Sequence, residues 1–579
     1  MCGIVGARDD WLRERGLEPA AAMERALANL RWRGPDGTGV VKIGDWWLGC
    51  ARLAITQPRS HQPVTRRGGR YAAVLNGAIT NARELWAELL PRAERRAAPP
   101  NDAWLPLLCV EHERRDLLAA MRGHHAFIVV DRDRPGPDQV VHGHDRWGEK
   151  PLLRLRNSAG LVAFASTPTA MREVGGPGPA EIMTQFDLGS WFRCGFAPPP
   201  AYSVGDIELH AHPATGSIAA PSEPTTLRAR LTASVERCTD TTVRVGLALS
   251  GGIDSSCLAA CLHALGRPTT AYQFHAAGTK TNERELAEQV AATCRLPLVP
   301  VDGGPEVLDA LPELTRRAGV PLGDPSILAV HALARRAAGD GVRVLLGGEG
   351  ADELFYGYDR YRALARLPRW RWLRPARRFA PGWSMRRTAR LLRAVTGSDP
   401  ILELAAVTPP AFRESVLPPE LEGGTSAAEI PERGRALADL ARRRDLLGYL
   451  PHDLLPKVDV ATMAAGIESR CPFLEDARVD EASAATDLGK QRLRAAFIDA
   501  LPAAVFAQPK RGFALPLDRW FRGELPWLDL LRDERTLSRP HLRAAGVTAA
   551  VDRHRRGAAD LGHALYLLVA YEVYLREFE

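Results

Sequence analysis

The chain has 579 residues, 45% hydrophobic and 25% charged, with a formal net charge of +7. That length exceeds what one hydrophobic core fills, so two or more domains are expected. No run of about eighteen apolar residues occurs, and charged Arg8, Asp9 and Asp10 follow the first apolar stretch directly; neither a membrane span nor a secretory leader is expected, which leaves the cytoplasm as the expected location.

The chain opens MCGIVG, with Cys2 entering an apolar stretch. A helix is predicted over PAAAMERALANL (19–30), and short strands over YAAVLNG (71–77), HAFIVVD (125–131) and LVAFAS (161–166). Gly, Pro, Asp and Arg punctuate these runs, a pattern of antiparallel sheets. FAPPPAYSVGD (196–206) is proline-rich and reads as a linker. The nine cysteines are scattered without a CxxC pair, which argues against a disulfide framework or a zinc site.

From about residue 225 strand and helix alternate. VRVGLALS (243–250) is a buried strand, SSCLAACLHALG (255–266) a helix, TTAYQFHA (269–276) a strand and RELAEQVAATC (284–294) a helix. LPLVPVD (296–302) is extended, HALARRAAGDG (331–341) helical and VRVLLGG (342–348) again a buried strand. Such alternation implies a parallel sheet covered on both faces. The Arg-rich stretch 366–395 reads as solvated helix faces rather than a nucleic-acid surface, and IPERGRALADLARRRDLLGYL (430–450) begins a helical C-terminal part.

Two glycine-rich loops follow buried strands. In SGGIDSS (250–256) small residues let backbone amides approach an anion at a helix N-terminus. It lacks the GxxxxGK[ST] pattern and suits pyrophosphate, hence chemistry that releases AMP. GGEGADELFYGY (347–358) brings Glu349, Asp352 and Glu353 to the carboxyl end of the sheet, where such sheets bind ligands. Together with Asp254 these acids suit Mg²⁺, which takes a few hard oxygens plus substrate phosphates.

SGGIDSS, GDPSILAVHALARRA (323–337), GGEGADELFYGY, LPKVDVATMAAGIESRCPFLE (455–475) and KRGFALPLDRWFRGEL (510–525) resemble, in order, the synthetase half of the glutamine-hydrolysing asparagine synthetase family. MCGIVG, RGPDGTG (33–39), ARLAI (51–55), LNGAITNARELW (75–86) and HDRWGEKPL (144–152) resemble its glutaminase half. The resemblance implies an N-terminal-nucleophile glutaminase, two antiparallel sheets between helices, over residues 1–195. A linker over 196–224 and an adenylating parallel-sheet domain over 225–579 follow. It implies ATP and Mg²⁺, with glutamine and a carboxylic acid as substrates, no nucleic-acid or membrane partner, and a homodimer as a candidate assembly.

By the same resemblance Cys2 is the nucleophile, with its own amine as base once Met1 is removed. Asn76 and the Gly77 N–H form an oxyanion hole, and Arg52 and Asp102 grip glutamine. Leu249, Ser250, Gly251, Gly252, Asp254, Ser255, Ser256 and Gly348 bind ATP, and Asp254 and Asp352 hold the metal. Lys457 stabilises the transition states, and Glu349 manages the proton of the incoming nitrogen.

Several positions depart from the family pattern. NGE becomes NGA at Ala78, Trp104 stands where an acid is usual, Trp32 replaces a histidine, and His144–Asp145 replaces Arg–Asp. A DE pair becomes Asn282–Glu283, Gly347 replaces a serine, and Glu475 replaces an aspartate. Losing the carboxylate at Ala78 removes a counter-charge for glutamine's ammonium, a cost of about 2–3 kcal/mol. The leading expectation is a glutamine-dependent amidotransferase acting on L-aspartate or a specialised acid. The alternative keeps adenylation but uses an amine nucleophile beside a vestigial glutaminase, as in β-lactam synthetase and lasso-cyclase relatives. An inert scaffold would have eroded Asp254, Asp352 or Lys457, and all three are present.

Overall fold

The computed structural model describes residues 2–579 apart from 56–59, 91–98, 159, 185, 198–201, 205–206, 211–225, 277–282, 371, 373–374, 376–381, 398, 422–433, 476–486 and 508–514. Asn282, much of the expected linker and the KRGFA start of the last motif therefore lie outside the described residues.

The described residues of the first half form eleven strands: β1 (Cys2–Arg8), β2 (Gly37–Ile43), β3 (Trp46–Arg52), β4 (Val64–Arg66), β5 (Tyr71–Ile79), β6 (Gly123–Asp131), β7 (Val140–His144), β8 (Leu153–Asn157), β9 (Gly160–Ala165), β10 (Tyr202–Val204) and β11 (Ile207–His210). They form two antiparallel sheets, ordered β10-β11-β8-β9-β1-β3-β2 and β4-β5-β6-β7. Alternation along each strand decides the layering. In β1, Cys2 and Ile4 face Ala72, Val74, Ala126 and Ile128 of the second sheet. Val5 and Ala7 point the other way, onto the helix Pro19–Leu30. The helix Trp104–Glu111 covers the far side of the second sheet, giving the expected helix–sheet–sheet–helix stack. The short strands β10 and β11 fall within the stretch expected to be linker, and β11 pairs with β8 at the edge of the first sheet.

The second half is built on a parallel sheet of β12 (Arg244–Ala248), β13 (Thr270–Ala276), β14 (Leu298–Gly303), β15 (Val342–Leu346) and β16 (Glu468–Arg470), ordered β14-β13-β12-β15-β16. The helix Ile253–Ala264 packs in the core on one face and Ser326–Gly339 in that on the other, which is why β12 and β15 read as continuous apolar runs. The chain goes from β12 outward to β13 and β14, then returns to β15 on the opposite side of β12. The loops after β12 and β15 therefore flank the crevice where the winding reverses, the position at which open α/β sheets bind ligands. Beyond β15 the chain is mainly helical. The helix expected near 430–450 is described from Gly434 to Arg444 and continues as a π-helical segment, Asp445–Leu454, around Pro451, whose missing N–H breaks the α-helical ladder. The final helix, Gly562–Phe578, is buried along most of its length.

The halves meet across a polar seam. Arg33 Nη1 pairs with Asp459 Oδ2 at 2.7 Å, both side chains at most 3% exposed. Lys150 Nζ lies 3.8 Å from Asp459 Oδ1 and donates to Ser469 O at 3.2 Å. Trp147 Nε1 donates to Leu474 O at 3.0 Å, and Glu475 accepts from Thr80 Oγ1 and Arg237 Nε, each at 2.7 Å. Removing one member of a buried ion pair leaves an uncompensated charge. Asp459→Ala therefore strands two cations and lowers stability by about 3–5 kcal/mol in urea denaturation; a loss below about 1 kcal/mol would show that the seam is solvated.

Candidate active site

The loop after β12 is shaped by Gly251, whose φ of +77 and close approach to Ala287 N and Glu283 O, 2.9 and 3.0 Å from where a Cβ would sit, leave no room for a side chain. Ser250 and Ser255 tie the loop to the helix that follows, with their hydroxyls 3.2 Å apart and the Ser250 N–H donating to Ser255 Oγ at 3.2 Å. The loop after β15 comes up beside it: a Cβ on Gly348 would lie 3.0 Å from Asp254 Cβ. Leu249, Ser250, Gly251, Gly252, Asp254, Ser255, Gly348, Glu349, Asp352 and Lys457 all line one cavity of about 630 Å³. Ser256 does not; it is fully buried in the helix below, with no partner for its hydroxyl among the described residues.

The cavity's centre is a residue that sequence reasoning missed. Lys490 Nζ lies 2.5 and 2.6 Å from the two oxygens of Asp254 and 2.6 Å from Asp352 Oδ1. Burial alone would favour the neutral amine, but the two carboxylates outweigh it and hold Lys490 charged. Only its place after Gly489 could have flagged it: both residues have positive φ, which bends the chain so that the lysine enters the cavity. Asp254 and Asp352, converging within reach of one ammonium, are also close enough to share a magnesium ion whose other ligands are phosphate oxygens and water.

Across the cavity, Lys457 Nζ donates to Asp324 Oδ2 at 2.8 Å. Asp324 and Asp453 raise the Lys457 pKa against the effect of burial, so it too stays charged. Glu349 is pushed above the usual carboxylate range by burial; Lys457 opposes that shift and Asp254 adds to it, and its Oε2 is buried without a partner among the described residues. A carboxyl poised upward beside an ammonium can take a proton from an incoming amine.

In the first half, Cys2 begins β1 opposite Arg52 of β3, and its N–H donates to Asn76 Oδ1 at 3.0 Å. That hydrogen bond turns the Asn76 amide so that its buried Nδ2 has no partner among the described residues. Gly77 has φ +112, and a Cβ there would sit 1.9 Å from His124 O, so only glycine fits. The Cys2 thiol is pulled below the ordinary range by a hydrogen bond with Cys50, while Cys50 is pushed up by the same contact. Gln62 Nε2 lies 4.0 Å from Cys2 Sγ. Arg52 Nη2 donates to Ser60 Oγ at 3.0 Å. Asp102 accepts from Ile79 N at 2.9 Å, and burial raises it to about 6. Ala78 is buried opposite His124, whose Nε2 is 3.0 Å from Glu468 Oε1 of β16. The carboxylate bonded to His124 thus comes from the other half of the chain, while Asp102, on Ile79 N, is the first half's acid beside Ala78.

The comparisons with known proteins agree with this geometry. Residues 226–576 match the family "Asparagine synthase", and residues 1–215 match "Glutamine amidotransferase domain". The chain belongs to the asparagine synthase family. It is 28% identical to a putative glutamine-hydrolysing asparagine synthetase of Mycobacterium tuberculosis, over 99% of this chain and 96% of that protein. Identity to the glutamine-hydrolysing asparagine synthetase 1 of Bacillus subtilis is 25%, over 91% and 88% of the two chains, and that to the enzyme of Triphysaria versicolor is 28%, over 62% and 60%. The family is one of carbon–nitrogen ligases.

In this family member Glu149, whose Oε1 lies 3.9 Å from His124 Nδ1, is raised to about 8 by burial, and its Oε2 lacks a partner among the described residues. Unfolded, it returns to about 4.5, so between those pH values the folded chain keeps a proton that the unfolded chain releases. The stability this supplies is complete below about pH 4.5 and is lost as pH rises through 8. Glu149→Gln should therefore raise the unfolding temperature at pH 8.5 and leave it unchanged near pH 4.5, by calorimetry; an equal change at both would contradict the assignment. On the adenylating expectation, Lys490→Met should cut AMP formation by about 10²–10³-fold, as when one preorganised donor to developing charge is removed; a loss under tenfold would exclude Lys490 from that chemistry.

Proposed function

We propose that the chain makes an amide from a carboxylic acid, ATP and glutamine, with residues 1–195 as glutaminase and 225–579 as synthetase. The observation that carries this reading is the Lys490 ammonium held between Asp254 and Asp352 at the glycine loop, in the same cavity as Glu349. Leu249, residues 250–255 and Gly348 would cradle the nucleotide. Asp254 and Asp352 would hold magnesium, which supplies positive charge to the phosphates when bound.

In the first half, removal of Met1 would leave an α-amine held by Asn76 Oδ1. That amine takes the Cys2 thiol proton, and Cys2 sulfur attacks the glutamine amide carbon. Asn76 Nδ2 and the Gly77 N–H receive the oxyanion. Ammonia leaves, and water then cleaves the thioester to glutamate. Arg52 and Asp102 hold the glutamine carboxylate and ammonium. In the second half, a carboxylate oxygen of the acceptor attacks the α-phosphorus of ATP, and pyrophosphate departs beside Lys490. Ammonia crosses the seam and attacks the acyl carbon, AMP leaves, and Glu349 removes the extra proton. Lys457, paired with Asp324, steadies charge on the acceptor side.

L-Aspartate is the first acceptor to test, with a specialised carboxylic acid second. The reaction belongs in the cytoplasm, where thiols stay reduced; no described helix is long and apolar enough to cross a membrane. Ala78 favours a second reading, in which an amine other than ammonia attacks the acyl-adenylate and Cys2 is idle. Cys2→Ala separates the two: it should abolish glutamine-driven amide formation and leave the ammonia-driven reaction within about twofold, by amide and AMP assay. Loss of both would contradict the two-centre reading, and no glutamate from the unmodified chain would favour the second.

A further inference from the structure

A second cavity, of about 480 Å³, adjoins the nucleotide cavity, and Arg362 lines both. Its cations come from two helices. Asp359–Arg366 presents Arg362 and Arg366 one turn apart on one face, and Arg387 opens the helix Arg387–Thr396. Arg362 is 3.6 Å from Asp359 Oδ1; among the described residues no carboxylate pairs with Arg366 or Arg387. Like charges one turn apart on a helix repel, and apolar walls, here Leu404 and Leu488, strengthen the field of whatever charge a cleft carries. Three guanidinium groups and the Gln491 amide in one concavity thus form a site for a multiply charged oxyanion.

The position of the site indicates which anion. A Cβ on Gly489 would lie 1.6 Å from Arg362 Nη2, so this guanidinium rests on the backbone next to Lys490. The cations adjoin in succession: Lys490 sits at the two aspartates, Arg362 lies against Gly489 beside it, and Arg362 shares the second cavity with Arg366 and Arg387. We propose that the arginine cavity is a second pyrophosphate site, which receives the product after it parts from Lys490. The proposal rests on the adenylating reading of the first cavity, but its binding test does not require turnover.

The test is calorimetric titration of the full chain with inorganic pyrophosphate and Mg²⁺, in the absence of nucleotide. The unmodified protein should bind two equivalents. R366Q/R387Q should bind one, at the Lys490 site, and Lys490→Met should bind one, at the arginine site. R366K/R387K, which keeps the charge, should restore the second equivalent at weaker affinity and guards against a folding defect in the glutamine variant. In turnover, R366Q/R387Q should weaken product inhibition by pyrophosphate about tenfold and leave the acceptor KM unchanged. A single equivalent in the unmodified protein, or two in R366Q/R387Q, would overturn the proposal. So would a raised acceptor KM with unchanged pyrophosphate binding, which would assign the arginines to an acid group on the acceptor. Loss of AMP formation with two equivalents still bound would instead count against the adenylating reading alone.

Discussion

The buried ammonium of Lys490 organises the second half of the molecule. Asp254 follows β12 and Asp352 follows β15, the two strands between which the sheet reverses its winding. Lys490 ties the two carboxylates together and holds the two glycine loops adjacent, and it presents one fixed positive charge where phosphate charge would develop. Because that charge is already in place, little reorganisation is needed during reaction.

The seam between the halves extends the same logic. β16 is three residues long, yet Glu468, Ser469 and Arg470 are all buried; the first two reach the first half, and Arg470 braces Glu468 from within the second. Glu468 accepts from Arg470 Nε at 2.6 Å and meets His124 of the first half. Ser469 O accepts from Lys150, and Arg470 Nη1 donates to Cys238 O at 2.7 Å. Buried charges of this kind are weak stabilisers compared with apolar packing, but they tolerate only one registration of the two surfaces. A fixed registration is what two centres need if a small neutral molecule is to pass between them.

Much of this was legible in the sequence. Strand–helix alternation from residue 243 reported the parallel sheet, because burial on both faces demands continuous apolar runs. Cys2, Asn76 and Gly77 were legible as a group, and Gly77 proved to be held by a close backbone approach that a hairpin turn alone would not require. Lys490 was not legible, since its neighbours DLGKQRLR carry no motif and its partners lie 236 and 138 residues away by the numbering. The acid on His124, the strand partner of Ala78, was hidden for the same reason: Glu468 reaches it only through tertiary packing. The arginine stretch read as solvated helix faces; residues 371, 373–374 and 376–381 of it lie outside the described residues, and Arg390 and Arg393 depart from that reading, since both are drawn into the structure and donate to Leu404 O and Ser384 O. Arg366 and Arg387 stand apart because two helices turn them into one concavity, which composition cannot report.

The proposed reaction requires that a carboxylate oxygen of the acceptor attack the α-phosphorus of ATP. Isotope transfer tests this most directly. The chain would be turned over with ATP, glutamine and an acceptor carboxylate labelled with ¹⁸O, L-aspartate first, and the AMP analysed by mass spectrometry. Acyl-adenylate chemistry predicts one ¹⁸O in the AMP phosphate for each amide formed. Amide formation with unlabelled AMP, or with label in inorganic phosphate alongside ADP, would contradict it.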